Sequence, residues 1–153
     1  IKESISNAKK YDKLIIADTK KNNLGVYANT DIITPNQKEL NDAAGKELKK
    51  ESEIISFSRS IIKKYNINEI LLTRSEKGMM LIGRNFIKKY KANAKKVMDV
   101  TGAGDTVISI LALMKALGLN TEISAQISNY SAGIVIGKRG TAALTYKELI
   151  SKV

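Results

Sequence analysis

Cysteine and histidine are both absent from this 153-residue chain, and the two gaps exclude whole classes of chemistry. Without Cys, neither a disulfide framework nor a thiolate metal site can form, which fits a reducing cytoplasm. Without His, the Ser-His-Asp and Cys-His mechanisms and every His-containing zinc site are excluded, leaving carboxylates, Lys, Tyr and backbone dipoles to carry any reaction. Tryptophan is missing too and the aromatic share is 5%, so little is available to stack on nucleobases. Proline occurs once, at Pro35, and there is no Pro-rich linker, repeat or low-complexity tract. Apolar runs stop at about five residues, where a membrane span needs about twenty, so no membrane partner is expected. The opening stretch, Ile1 to Asp12, is charged and amphipathic and has no signal-peptide core. With Ile first, the chain reads as a piece of a longer protein.

What is present is 43% hydrophobic residues and a net charge of +11 from 26 basic and 15 acidic residues. That apolar content can bury one core, so a single α/β unit over residues 1–153 is expected. A charge of this size raises the question of nucleic acid, since neutralising phosphates releases counterions. The basic residues are almost all Lys, however, scattered in pairs such as Lys9-Lys10, Lys49-Lys50 and Lys95-Lys96. They describe a solvated surface better than a polyanion track, and no nucleic-acid partner is expected.

Short apolar runs alternate with amphipathic stretches, the pattern of a mainly parallel sheet with crossover helices. Strands are predicted at Leu14 to Ala17, Ile32-Ile33, Ile70 to Thr73, Met79 to Ile82, Phe86 to Tyr90 and, briefly, Val97-Met98. Helices are predicted at Gln37 to Ala44, Glu51 to Tyr65, Ala103 to Leu117, Glu122 to Gly137 and Tyr146 to Lys152. Asn36 stands three residues before Glu39, close to a capping box, while Gly45, Asn66, Gly118 and Gly140 stand where helices should stop. In open sheets of this kind ligands bind beyond the carboxyl ends of the strands.

The segment with most chemical content is Asp99-Val100-Thr101-Gly102-Ala103-Gly104-Asp105-Thr106, between a short strand and a strongly apolar helix. Small residues at a helix start let backbone N–H groups converge where the macrodipole favours an anion. A carboxylate at its edge, Asp105, can take a proton from a hydroxyl while the amides stabilise a transferring phosphoryl group. The same residues also read as a tight turn with Asp105 as a helix cap. Neither rival phosphate motif fits: Gly137-Lys138-Arg139-Gly140-Thr141 lacks the Walker A frame, and Val107 stands where a dinucleotide fingerprint wants its third glycine.

Asp-x-Thr-Gly-Ala-Gly-Asp followed by a long apolar helix resembles the carboxyl-terminal signature of the ribokinase-like (PfkB) carbohydrate kinases. Three further segments resemble the same family in the same order: Thr34-Pro35-Asn36-Gln37-Lys38-Glu39, Thr73-Arg74-Ser75-Glu76-Lys77-Gly78-Met79, and Asn129 to Thr141. The finer likeness is to kinases of heptose 7-phosphate. The resemblance implies a ribokinase-like three-layer α/β/α sandwich, here incomplete, lacking the amino-terminal half that carries the sugar site and lid. It also implies ATP and Mg²⁺ as cofactors and a sugar phosphate as substrate. The reaction implied is transfer to the anomeric hydroxyl, giving heptose 1,7-bisphosphate for ADP-heptose and lipopolysaccharide core synthesis. A fused nucleotidyltransferase domain and a full-length homodimer are implied partners, and these residues alone are expected to lack turnover.

Residue by residue, the resemblance implies that Asp105 is the general base and that the amides of Gly102, Ala103 and Gly104 hold the phosphoryl group. It implies that Asn36 and Glu39 organise Mg²⁺, often through water, although the pair also serves as a helix start. Lys20 and Thr73 would meet nucleotide phosphates and ribose, Gly78 a closely approaching ligand, and Asn129 the adenine. Asp99 and Thr101, with carbonyls around residues 137–141, resemble a monovalent-cation site such as one for K⁺; Asp99 alternatively just hydrogen-bonds its loop. The chain departs from the family at Thr19, where Pro is common after a strand-ending Asp, at Ile110, where a small residue is common, and at Tyr130-Ser131, where paired alanines are frequent.

Overall fold

The computed structural model describes residues 1–93, 98–140 and 142–150. The chain forms two compact units, one of Ile1–Arg74 with Met80–Lys89 and one of Ser75–Met79 with Tyr90–Val153.

The first unit begins with helix α1 (Lys2–Lys10), which places Glu3 in its first turn and Lys9 and Lys10 in its last, matching the helix dipole. Strands β1 (Ile16–Ala17), β2 (Ile32–Ile33) and β3 (Glu69–Thr73) follow, alternating with helices α2 (Gln37–Ala44) and α3 (Glu51–Tyr65). β1 and β2 run parallel with Ile16 opposite Ile32, and β2 and β3 run parallel with Ile33 opposite Ile70. Strands β4 (Met79–Ile82) and β5 (Ile87–Tyr90) complete a five-stranded sheet in the order β1-β2-β3-β4-β5. The links into β4 and β5 are far shorter than a parallel crossover requires, so these two strands meander antiparallel at one edge. The sheet is therefore mixed, and every residue of β4 is buried.

Two left-handed residues close α2 and α3: Gly45 at φ 65° and Asn66 at φ 51°, both as predicted. The core is aliphatic, with Ile33, Leu40, Ile54, Ile62, Ile67, Ile70, Leu72, Met80 and Ile82 packed together. Each fully buried Ile or Leu contributes about 1.5–3 kcal/mol of transfer free energy.

The second unit is built on helices α4 (Ala103–Ala116) and α5 (Thr121–Val135), which pack against each other, followed by α6 (Tyr146–Ile150). Where α4 buries Val107, Leu111 and Met114, α5 buries mostly small residues: Ser124, Ala125, Ser128, Ser131 and Ala132. Small side chains allow close helix approach. The hydroxyls cost little here because each back-bonds to its own helix, Ser128 to the Ser124 carbonyl and Ser131 to the Ile127 carbonyl, both at 2.8 Å. Ser131 thus replaces the family's usual alanine without leaving an unpaired polar group.

The boundaries differ in detail from expectation. β1 is shorter than Leu14 to Ala17, α5 begins at Thr121 and ends at Val135, and Gly140 lies in the loop after α5 rather than at its end. The opening segment forms α1, which the sequence pattern left unassigned. Of the strand expected at Val97-Met98, Val97 lies outside the described residues, and Met98 is a bend whose amide donates to the Ile136 carbonyl at 2.8 Å. The expected end of α6 at Lys152 also lies outside the described residues.

Candidate active site

In the first unit the carboxyl ends of β1, β2 and β3 bring four sequence-predicted residues together. Asn36 forms a parallel bridge with Thr73, whose amide donates to the Pro35 carbonyl at 3.0 Å. Asn36 then caps α2 reciprocally: its Oδ1 accepts the Glu39 amide at 2.8 Å, and Glu39 Oε2 accepts the Asn36 amide at 2.8 Å. The capping box read from the spacing is therefore formed. Thr19, completely buried, donates its hydroxyl to the same Glu39 oxygen at 3.1 Å. A proline could not make this bond, which gives the Thr19 departure a physical reason.

Lys20 is fixed at its backbone by the Tyr27 hydroxyl, which accepts the Lys20 amide at 2.9 Å. Its ammonium lies 2.8 Å from Asp18 Oδ2 and 4.0 Å from Glu39 Oε1. Asp18, directly after β1, is thus a charged neighbour of Lys20 that the motifs do not single out. Arg74, directly after Thr73, is another charged residue at these strand ends. Its side chain is only 10% exposed and pairs with Glu51 at 3.2 Å, a carboxylate that also accepts from Lys89. The Lys89 hydrogen bond, then that of Arg74, holds the Glu51 carboxyl below the usual range.

The donor set suits Mg²⁺ held loosely. Asp18 and Glu39 are partly exposed carboxylates with oxygen lone pairs left over. Among the described residues no three acidic side chains cluster as a metal cage. Mg²⁺ is reluctant to shed water and is commonly held by one or two carboxylates together with phosphates.

In the second unit Gly102 stands at φ 80° and ψ 0° as the residue preceding α4, with no side chain capping the helix. That left-handed geometry is open to Gly at little cost. The first N–H groups of a helix have no partner inside it. Here the Ala103 amide donates to the Val100 carbonyl at 3.2 Å, while Thr106 closes the first turn through both its amide and its hydroxyl onto the Gly102 carbonyl, each at 2.9 Å. The helix start therefore presents the Gly104 and Asp105 amides rather than that of Ala103. A Cβ at Gly104 would meet no atom within 4 Å. Asp105 is exposed, and it makes no side-chain hydrogen bond or ion pair among the described residues.

Asp99 braces this turn. Its Oδ1 accepts the Thr101 amide at 2.8 Å. The Thr101 hydroxyl, followed by the amides of Thr101 and Gly140, draws its carboxyl below the ordinary value. Lys138, on the loop after α5, donates to the Ala143 carbonyl at 2.8 Å and to Glu148 Oε2 at 2.8 Å. Asp99 thus hydrogen-bonds its own loop, the alternative to a cation role. Of the carbonyls expected to contribute, that of Thr141 lies outside the described residues.

Gly78 and Asn129 have structural partners. Gly78 has φ 76°, and a Cβ there would come 2.0 Å from the Tyr90 carbonyl oxygen and 2.7 Å from the Ala92 nitrogen. The closely approaching group is thus the chain's own backbone. Asn129, 5% exposed, donates Nδ2 to the Lys91 carbonyl at 2.8 Å. With Tyr90 donating its hydroxyl to the Glu122 carbonyl at 3.0 Å, these contacts stitch segment 90–92 into the second unit.

The mixed sheet of the first unit, with Lys20, Asn36 and Thr73 past its parallel strands, and the uncapped glycine turn of the second unit are each features of an α/β protein. Residues 2–148 match the family described as pfkB family carbohydrate kinase, and the chain belongs to that family. It is 40% identical over 149 residues to the bifunctional protein HldE of Acidiphilium cryptum, covering 97% of this chain and 31% of that protein. The chain thus spans under a third of that relative's length. Phosphofructokinase-2 from Escherichia coli, solved in complex with potassium, matches with a TM-score of 0.87 at 18% identity, over 98% of this chain and 50% of that one. Arabidopsis thaliana ribokinase complexed with ribose and ATP matches with a TM-score of 0.85 at 22% identity, over 96% of this chain and 49% of that one. These likenesses establish the ribokinase-like fold.

Proposed function

We propose that this chain is the nucleotide-handling part of an ATP-dependent sugar kinase whose acceptor is heptose 7-phosphate, phosphorylated at its anomeric hydroxyl. The observation that carries this is the helix start at residues 102–105, where an uncapped left-handed turn sits beside an exposed carboxylate with no partner among the described residues.

Asp105 accepts the proton of the attacking hydroxyl, and the Gly104 and Asp105 amides receive the charge on the phosphoryl oxygens. Catalysis is then mainly positioning and charge stabilisation. Lys20 supplies a cation to the nucleotide phosphates. Glu39 and Asp18 are the carboxylates that would hold Mg²⁺, which would supply neutralisation of phosphate charge. The family membership and the identity with HldE support the heptose assignment.

By themselves these residues are proposed to bind nucleotide without turning sugar over. A thermal shift with ADP and Mg²⁺, together with heptose 7-phosphate-dependent ADP release from a full-length HldE relative, tests both parts. Absence of any shift, together with salt-dependent retention on DNA, would favour a basic polyanion-binding module instead. Robust turnover by these residues alone would show that the sugar site has been assigned to the wrong part.

A further inference from the structure

At the amino-terminal ends of β2 and β3, opposite the strand ends that carry Lys20, Asn36 and Thr73, the first unit holds a cavity of about 630 Å³. That volume is in the range of small-molecule sites. One wall is a face of α1 carrying Lys2, Ser6 and Lys9, spaced at i, i+4 and i+7. The other includes Asn29, which precedes β2, and Asn66 and Asn68, which precede β3.

The asparagine wall is fixed by its own bonds. Asn29 and Asn66 both have left-handed backbone, at φ 67° and 51°, though neither is glycine. Asn66 Nδ2 donates to Asn29 Oδ1 at 3.0 Å, and Arg84 donates to Asn66 Oδ1 at 3.2 Å. Asn68 Nδ2 donates to Asp31 Oδ1 at 3.0 Å. Asp31 also accepts from Lys9, at 3.0 and 3.1 Å, and from the Ile15 amide at 2.8 Å, so its carboxylate is committed and balances Lys9. These bonds leave the Lys2 ammonium, the Ser6 hydroxyl, Asn29 Nδ2 and Asn68 Oδ1 without a partner among the described residues. The cavity thus offers one unpaired cation, two neutral donors and a carbonyl acceptor.

We propose that this cavity is an accessory binding site for a small phosphorylated polyol, separate from the nucleotide-handling residues. Lys2, Ser6 and Asn29 Nδ2 supply donors for the phosphate oxygens, and Asn68 Oδ1 accepts from a ligand hydroxyl. A bare anion leaves that acceptor unmet, and a neutral polyol leaves the ammonium unmet. The inference stands independently of phosphoryl transfer, and its test does not use turnover.

The side-chain amide signals of Asn29 and Asn68 are followed by NMR in the isotope-labelled chain during titration with glycerol 3-phosphate. Both are expected to shift along one saturating curve, with or without ADP and Mg²⁺. Glycerol alone is expected to leave them unmoved, and inorganic phosphate to bind more weakly than glycerol 3-phosphate. Lys2→Gln is expected to weaken binding about two- to fivefold, the range of an exposed charge contact, and to keep the native Tm. Signals that glycerol 3-phosphate does not move would overturn the proposal. So would equal binding of inorganic phosphate, a curve abolished by ADP and Mg²⁺, or native affinity in Lys2→Gln. Asn29→Gly, which permits the left-handed backbone and removes the amide, gives a second reading at Asn68: weaker binding supports the site, and unchanged binding counts against it.

Discussion

The start of α2, in the first unit, and the start of α4, in the second, are organised in opposite ways. At α2, Asn36 and Glu39 satisfy each other's backbone groups, and Thr19 adds a third bond to the same carboxylate. At α4 no side chain caps the helix, and Asp105 leaves its carboxylate unbonded among the described residues. Both starts carry an acid in the first turn, so sequence composition alone makes them look alike. The difference shows that an acid at a helix start can be a fastening or be left open, as the proposed reagent Asp105 is, and that its hydrogen bonds separate the two arrangements. Glu39 is primarily a fastening whose remaining oxygen faces Lys20, whereas no side chain among the described residues engages Asp105.

The largest expected effect tests the reagent side. Asp105→Asn in a complete kinase should lower kcat by about a thousandfold or more while leaving ATP affinity and Tm unchanged. Steady-state ADP release with parallel melting curves measures this, and near-normal kcat would remove Asp105 from the reaction. Next in size is Gly78→Ala, which forces a methyl against the Tyr90 carbonyl at a left-handed φ. A loss of about 3 kcal/mol or more in urea unfolding is expected, and a neutral substitution would mean that segment 90–92 does not cross there.

The contrast itself is tested by a pair of alanines. Asn36→Ala should cost about 1 kcal/mol through the lost cap, and Asp105→Ala less than about 0.5 kcal/mol; equal losses would erase the distinction between the two helix starts.

The smallest effect is a pH dependence. Held by the Lys138 hydrogen bond, first, and by those of Thr145, the Glu148 carboxyl titrates at about 2 in the folded chain against an ordinary 4.5. A depressed folded value stabilises above the ordinary one and is lost as pH falls towards the folded one. The stability gap between the native chain and Glu148→Gln should therefore be constant above pH 4.5 and narrow between 4.5 and about 2. A gap that stays flat across that window would show the Lys138–Glu148 contact to be absent in solution.

What was legible in the sequence was local. Asn36 and Glu39 lie three residues apart, and Gly102 to Asp105 are contiguous, so spacing exposes both helix starts. The strand and helix order followed from periodicity because each element buries one face. Gly78 was recognised as a residue needing room, but its partner at residues 90–92 lies across a strand pair, and no local pattern distinguishes a ligand from a backbone there. Asn129 reads as a polar helix residue until Lys91 is seen beneath it. Thr19 and Ser131 looked like departures from the family, and each is explained by a bond to an oxygen that sequence does not place: Glu39 Oε2 for one, the Ile127 carbonyl for the other.

The outer side of α4 and the start of α5 leave Leu113, Leu117 and Ile123 at 50%, 66% and 45% exposure. In solution, oily contact among copies is opposed by their mutual repulsion at +11. Because added electrolyte shortens the reach of that repulsion and warming strengthens apolar cohesion, the chain should disperse best in cool, dilute buffer and cloud when salted or heated, the reverse of a protein held apart by short-range hydration.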